Sequence, residues 1–231
     1  NNFTYEVPRS TSKFAEFYHT MYVPHITKTF GRLAYEMSYE LMKEKVHEGQ
    51  SELMLVTRNG EPLAGQILVH ENDGVRCWVI GVKDGNREYV KMGAQAALYF
   101  FNIQYLSDCG YKAMHVGTTR PFLRDGVMQF KIKWGMSMRY PSQHGFLLKP
   151  LRKSKGAMSF LENNPFVYYT GEKYVGVVIS DDSTPADNYR NVCAPFLSSG
   201  LLKLKVFSNK GHEKDGTILD DIEFATTDTL F

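Results

Sequence analysis

YKAMHVGTTRPFLRDGVMQFKIKWG, residues 111–135, places a short apolar segment, a polar loop and an amphipathic segment in direct succession. Residues 113–116 favour a short strand, which Gly117 ends. Asp125 is well placed to cap a helix, because its carboxylate can accept hydrogen bonds from the free N–H groups of the first turn. The stretch therefore predicts a strand, a loop and a helix that begins at Asp125.

The predicted helix carries Val127, Phe130 and Trp134 at the spacing i, i+3 and i+7, which is typical of one buried face. Lys131 lies on the same face, where an unpaired ammonium would be costly to bury. An anion beside the strand end would offset that cost, so Lys131 is a candidate for an anion-binding groove. The alternative is that its methylene groups pack while its ammonium reaches water.

The composition is that of an ordinary globular protein, and a net charge of +2 gives little nonspecific attraction for nucleic acid. Cys77, Cys109 and Cys193 stand in no metal-binding or redox spacing, so they are predicted to be buried thiols in a reducing, cytoplasmic compartment. No apolar run approaches the roughly 18 residues that cross a bilayer. Because Asn1 is neither an initiator methionine nor part of a signal-peptide pattern, we expect the chain to be a piece of a longer protein.

The first two thirds of the chain alternate between strand and helix patterns. A three-stranded antiparallel meander is predicted over residues 53–57, 63–70 and 75–82, with Asn59-Gly60 as a type I′ turn. A strand is predicted at residues 3–7, and helices over residues 11–21 (ended by Pro24), 33–47 and about 89–109. Residues 137–151 favour an extended segment with a break at Pro141.

The pattern changes near Lys153, where the basic, glycine-containing residues 152–156 are typical of a linker. Beyond it, strands are predicted at residues 166–169, 174–180 and 201–207, with a helix inside 185–199. The predicted class is α+β. A mixed, largely antiparallel sheet with helices on both faces is expected over residues 1–151, and a small α/β appendage over residues 152–231.

The order of elements through Leu151 resembles the GNAT acyltransferase superfamily, in particular the branch of FemABX-type aminoacyl transferases and related acetyltransferases. The segment Phe130-Lys131-Ile132-Lys133-Trp134-Gly135 is similar to the F-K-x-x-[aromatic]-G element that this branch places after its fifth strand. Val116-Gly117-Thr118 and Gly110-Tyr111 also resemble the branch. The resemblance implies that the fourth and fifth strands, here residues 75–82 and 113–116, splay apart to admit the pantetheine arm of a thioester.

The resemblance also implies a pyrophosphate cradle at the N-terminus of the helix after the fourth strand, where free N–H groups and the helix dipole attract phosphate. The candidate cofactor-binding residues are Val82, Lys91, Met92, Gly93, Ala94 and Gln95. The superfamily's [QR]-x-x-G-x-[GA] loop is degenerate here, since Val90 and Gln95 occupy its first and last positions. The FemABX-like branch departs in the same way, and for it the resemblance implies an aminoacyl-tRNA donor. The alternative is that small residues near Gly93 only permit close helix–sheet packing.

Acyl transfer to an amine needs a base, a group that stabilises the oxyanion and a proton donor. The candidate catalytic residues are His115 as base, Lys131 as anion-binding group and Tyr140 as acid. Each also has a structural interpretation, as a hydrogen-bonded core histidine, a packed lysine stem and a half-buried strand aromatic.

Arg87, Arg120 and Arg124 are candidate substrate-binding residues, because a guanidinium can bind a phosphate or carboxylate through two hydrogen bonds. Solvated loop arginines are the alternative. The histidines show no metal-ligand spacing, and no metal is predicted.

These features predict an N-acyltransferase that moves an acyl group, in the simplest case acetyl, from a coenzyme A thioester to a small-molecule or peptide amine. Acyl-coenzyme A is preferred to a tRNA donor because tRNA binding favours a basic surface. The alternatives are an aminoacyl-tRNA-dependent transferase of the FemABX type and a catalytically silent GNAT-like binding module.

Overall fold

The Asn59-Gly60 dipeptide reverses the chain between the first two strands of a central meander. Both residues have positive φ, 53° and 79°, as a type I′ turn requires. The computed structural model describes residues 2–47, 49–139, 148–149, 151–180, 188–208 and 222–226. Within these residues Ser51–Arg58 (β2), Glu61–Glu71 (β3) and Gly74–Val82 (β4) pair antiparallel in succession, which confirms the predicted meander.

The chain divides into two compact units, Asn1–Gly117 and Thr118–Phe231. The other strands of the first unit are Phe3–Glu6 (β1) and Met114–His115 (β5). Its helices are Thr11–Phe17 (α1), Val23–Phe30 (α2), Tyr39–His47 (α3), Arg87–Lys91 (α4) and Ala94–Asp108 (α5). The strands follow the order β1-β2-β3-β4-β5, in which β4 and β5 run parallel and the other neighbours antiparallel.

Each face of this sheet is covered by helices and has its own core. On one face α5 contributes Leu98, which packs in a cluster with Met54 and Val75. On the opposite face α1 contributes Phe17, which packs in a cluster with Ile67. The predicted α+β class, with a mixed and largely antiparallel sheet between helices, is confirmed.

The helix predicted to end before Pro24 continues through it. After α1 the chain forms a π-helical turn, Tyr18–Tyr22, and Pro24 then lies in the first turn of α2. The N–H of Val23 donates to the Tyr18 carbonyl across the π-turn, so the helical path is already formed where Pro24 enters it, and the proline removes only its own N–H donor. A Cβ atom on Gly81 would lie 2.7 Å from the backbone of Met21 and of Tyr22, so glycine allows β4 to approach the π-turn.

The helix predicted over residues 33–47 is shorter than expected. Leu33 lies in a 3-10 turn, Gly31–Leu33, and is 90% exposed, and α3 begins at Tyr39. The apolar spacing that suggested a longer helix therefore does not correspond to one buried face.

The second unit is built on a four-stranded sheet in the order β6-β7-β8-β9. Its strands are Phe166–Tyr169 (β6), Tyr174–Ile179 (β7), Leu201–Ser208 (β8) and Ile222–Thr226 (β9), and its helices are Gly126–Lys133 (α6), Lys155–Asn163 (α7) and Tyr189–Cys193 (α8). β6 and β7 are antiparallel, whereas β7, β8 and β9 are parallel. Three of these strands were predicted. β9 lies where a polar tail was expected, and α7 begins within the predicted linker, at Lys155, and continues through residues for which no element was predicted.

The boundary between the units does not coincide with the one predicted after residue 151. The N–H of Val167 donates to the Pro121 carbonyl at 2.9 Å, and the N–H of Leu123 donates to the Pro165 carbonyl at 2.7 Å. These bonds place the loop before α6 beside β6. The segment after residue 117 therefore belongs with the C-terminal sheet, because its backbone groups find their partners there.

Among the described residues, no helix combines the length and the apolar character that crossing a membrane requires.

Candidate active site

Strands β4 and β5 pair over only two residues, and β4 extends well beyond the end of β5. Arg76 opposite His115 is the last pair, and β4 continues for six further residues to Val82. The register of the β3–β4 pair shifts at Trp78, which is one extra residue on β4. A bulge of this kind bends the strand and increases its twist, which favours separation of β4 from the direction of β5.

The single long helix predicted after β4 is divided into two helices, α4 and α5. Gly93 separates α4 from α5 with a left-handed backbone, φ 96°, and caps α5 without a side chain. The first hydrogen bond of α5 runs from the N–H of Ala97 to the Gly93 carbonyl, at 2.8 Å. The N–H groups of residues 94–96 therefore have no acceptor within the helix. This terminus therefore offers backbone donors that no side chain at the cap position covers.

The predicted cofactor-binding residues surround this break but differ in exposure. Val82 and Ala94 are fully buried and belong to the same core cluster, so their side chains support the terminus and do not face a ligand. Lys91 is exposed and forms an ion pair with Glu88 at 2.8 Å. The remaining three, Met92, Gly93 and Gln95, are half-buried.

An arginine that sequence reasoning missed lies beside the break. Arg58, the last residue of β2, places Nη1 3.9 Å from the Sδ atom of Met92. The antiparallel pairing of β2 and β3 brings it to this end of the sheet. A guanidinium in contact with Met92, two residues before α5, carries the same sign of charge as the N-terminal end of the α5 dipole.

A histidine that sequence reasoning did not select also lies at this terminus. The Nε2 atom of His25, on α2, is 3.4 Å from the Nε2 atom of Gln95, on the first turn of α5. Burial lowers the pKa of His25 below its usual 6.5, so its imidazole is neutral at physiological pH. The 70 positions between the two residues explain why no local pattern revealed the contact.

His115 lies at the paired end of β5, away from this terminus. It stands opposite Arg76, and Val82 lies six residues further along β4, roughly 20 Å away at the rise of a β-strand. Its Nε2 atom lies 3.3 Å from Oδ1 of Asp73. The structure thus does not bring His115 together with the predicted cofactor-binding residues.

Lys131 belongs to the second unit and is buried, with 8% of the residue exposed. Its Nζ atom donates to the carbonyl oxygen of Thr118 at 3.1 Å. On the same helix Met128 is buried, whereas Val127 is 53% exposed. The predicted buried face is therefore wrong at Val127, since Met128 is the residue that packs inside. Asp125 caps α6 as predicted, because its Oδ1 atom accepts from the N–H of Val127 at 3.0 Å.

The predicted substrate-binding arginines fall in both units. Arg87 is exposed on α4 of the first unit. Arg120 is 78% exposed and binds Oδ2 of Asp125 at 2.8 Å, and Arg124 lies over the ring of Phe196 at 5.8 Å. Tyr140, the predicted acid, lies outside the described residues.

No protein-family model matches the chain, and no curated protein matches it. Solved structures with partial similarity include an aminoglycoside acetyltransferase from an uncultured soil metagenomic sample, in complex with trehalose (TM-score 0.44, 10% identity, covering 64% of this chain and 97% of its own). A GNAT family acetyltransferase from Staphylococcus aureus has TM-score 0.38 and 13% identity over 64% of this chain and 98% of its own. A transcriptional regulator from Bacillus halodurans has TM-score 0.45 and 11% identity over 63% and 100%. At this level of similarity, the function has to be argued from the chain's own residues.

Proposed function

We propose that the chain is an N-acyltransferase of the GNAT type, which moves an acyl group, in the simplest case acetyl, from a coenzyme A thioester to an amine. One observation carries the proposal. The parallel β4–β5 pairing stops at Arg76, while β4 continues to Val82 and leads to the N-terminus of α5. That arrangement can hold an extended pantetheine arm along β4 and a pyrophosphate at the helix end.

The donor end of the proposed site is the break at Gly93. Backbone N–H groups at a helix N-terminus, together with the helix dipole, bind phosphate without any basic side chain. Gly93 has no side chain at the cap position, and the guanidinium of Arg58, which contacts Met92, would add a positive charge. This geometry compensates for the degenerate sequence motif.

The acceptor end of the proposed site is the side of α2 that meets α5. The neutral imidazole of His25 can accept the proton of an amine whose nitrogen attacks the thioester carbonyl carbon. The C–S bond then breaks and coenzyme A leaves as a thiolate, which takes up a proton from solvent. We propose His25 as the base in preference to His115, because His25 contacts the first turn of α5 and His115 lies at the other end of β4.

Lys131, Tyr140, Arg87, Arg120 and Arg124 stay candidate residues for the acceptor. The cytoplasm suits the three cysteines, which are free thiols. An aminoacyl-tRNA donor is the less favoured alternative, because the net charge of +2 provides little electrostatic attraction for a tRNA.

Binding of the donor tests the proposal directly. We expect acetyl-coenzyme A to raise the melting temperature of the full chain, because a ligand at about 100 times its Kd stabilises the folded state by about 2.7 kcal/mol. Acetyl-pantetheine, which lacks the pyrophosphate, should shift the melting temperature much less. If no acyl-coenzyme A raises the melting temperature and an aminoacyl-tRNA binds the chain, the donor assignment is wrong. If neither binds, the chain is a silent module.

A further inference from the structure

Three side chains with metal-binding atoms converge at the start of β4. Glu71 ends β3, Asp73 lies in the turn between β3 and β4, and His115 lies on β5. One ligating atom from each lies within 4.8 Å of the other two. The β3–β4 turn and the parallel β4–β5 pair bring them together, although His115 is 42 positions after Asp73 in sequence.

The surroundings of the His115 imidazole also suit a ligand, although 23% of its side chain is exposed. Its Nε2 atom is buried and makes no hydrogen bond in the described part of the chain, although Oδ1 of Asp73 is 3.3 Å away. A buried polar nitrogen without a hydrogen bond is costly unless something else satisfies it. Two donors bound to one tetrahedral Zn²⁺ ion at about 2.0–2.1 Å lie about 3.3 Å apart, so the observed separation suits a shared ion.

We propose that Glu71, Asp73 and His115 bind one divalent transition-metal ion of the Zn²⁺ type. One imidazole and two carboxylates form a donor set that suits such ions better than Mg²⁺ or Ca²⁺, which take oxygen ligands. Arg76 already binds one oxygen of Glu71 through Nε, so the ion would use the other oxygen. The neighbouring guanidinium should make the affinity moderate.

The proposed ion has a structural role that is separate from acyl transfer. β5 is held to β4 by two paired residues, and the ion would join its last residue, His115, to the β3–β4 turn. The site lies roughly 20 Å along β4 from Val82, so it would not take part in chemistry at the N-terminus of α5. Failure of the acyltransferase proposal would therefore leave this one untouched.

Zinc titration of the full chain, stripped with a chelator, tests the site. We expect calorimetry to give one Zn²⁺ per chain, and Co²⁺ to give the visible absorption of a tetrahedral site. His115→Asn and Asp73→Asn should each weaken binding at least tenfold. His70→Asn is the matched control, because His70 also lies beside a carboxylate, with Nε2 3.6 Å from Oε2 of Glu52, and should bind as the parent does.

Two results would overturn the proposal. One is the absence of Zn²⁺ binding by the parent chain at concentrations up to about 1 mM. The other is binding that survives both His115→Asn and Asp73→Asn, or that is lost equally in His70→Asn. Because Asp73 is 67% exposed in a turn, Asp73→Asn should fold even if His115→Asn does not.

Discussion

The ammonium of Lys131 donates a hydrogen bond to the carbonyl oxygen of Thr118, and this contact holds the helix α6 against the loop that precedes it. We therefore expect Lys131→Met to destabilise the second unit by about 1.5–3 kcal/mol, since a charged donor to a buried carbonyl is lost. Lys133→Met, on the exposed side of the same helix, is the control and should change stability little. Urea denaturation measures both. A Lys131→Met chain as stable as its parent, but unable to bind a ligand that the parent binds, would contradict the structural role and favour a role in binding the acceptor.

Asp125 both caps α6 and pairs with Arg120, and substitutions can separate these two roles. Asp125→Ala removes the helix cap and should cost about 1–2 kcal/mol. Asp125→Asn keeps an acceptor for the N–H of Val127 and loses mainly the ion pair with Arg120, which is worth little because Arg120 is 78% exposed. Thermal melts should show a larger loss of stability for Asp125→Ala than for Asp125→Asn. Equal losses for the two would mean that the ion pair, and not the cap, carries the stability.

Gly93 and Gly110 flank helix α5 with left-handed backbones, φ 96° and 84°. Gly93→Ala and Gly110→Ala should therefore destabilise the chain by similar amounts, about 1–2 kcal/mol each. Only Gly93→Ala should also weaken acetyl-coenzyme A binding, because its methyl group would stand at the proposed pyrophosphate site. Calorimetric titration beside thermal melts on both variants distinguishes the two effects. Equal affinities for the two variants would remove Gly93 from the cradle.

Burial of His25 makes the stability of the first unit depend on pH. Because the pKa of His25 is lowered below 6.5 in the folded chain, the unfolded chain takes up the proton at a higher pH than the folded chain does. The folded state therefore loses stability as the pH is lowered from about 7.5 to about 5.5, and His25→Gln should lose less over the same range. Denaturation at the two pH values measures the difference. Parallel losses in parent and variant would show that His25 is not the cause.

Limited trypsin digestion addresses the division of the chain. Arg152 and Lys153 are exposed and lie outside helices and strands, so cleavage is expected there, as the sequence also predicts. We expect the two fragments to stay together on gel filtration, since Leu123 before the cut and Leu204 after it belong to one core cluster. Separation into a folded fragment 1–152 and a free C-terminal fragment would instead support a boundary near residue 151.

Local signals predicted the parts of the fold that are determined locally. Alternation and the Asn59-Gly60 turn were sufficient for β2 to β4, and the carboxylate of Asp125 was sufficient for the start of α6. The buried face of α6 was misread at Val127, which is 53% exposed, whereas Lys131 is buried as its place on the predicted face implied. The break at Gly93 was missed because the small apolar residues around it fit a continuous helix.

The candidate site could be predicted only in outline. The strand–helix junction after Val82 was found because it depends on consecutive elements. The contact of His25 with Gln95 and that of Arg58 with Met92 depend on how distant elements pack, which no local spacing encodes. The same holds for Asp73 and His115, whose proximity follows from parallel strand pairing.

The π-helical turn Tyr18–Tyr22 lies between α1 and the helix that carries His25. A π-turn holds one residue more than an α-helical path between the same ends. Deleting one residue, such as Thr20, should therefore close the turn into an ordinary α-helical one and leave His25 beside Gln95. Homologous chains that lack this single inserted residue should still place the residue equivalent to His25 beside the start of α5.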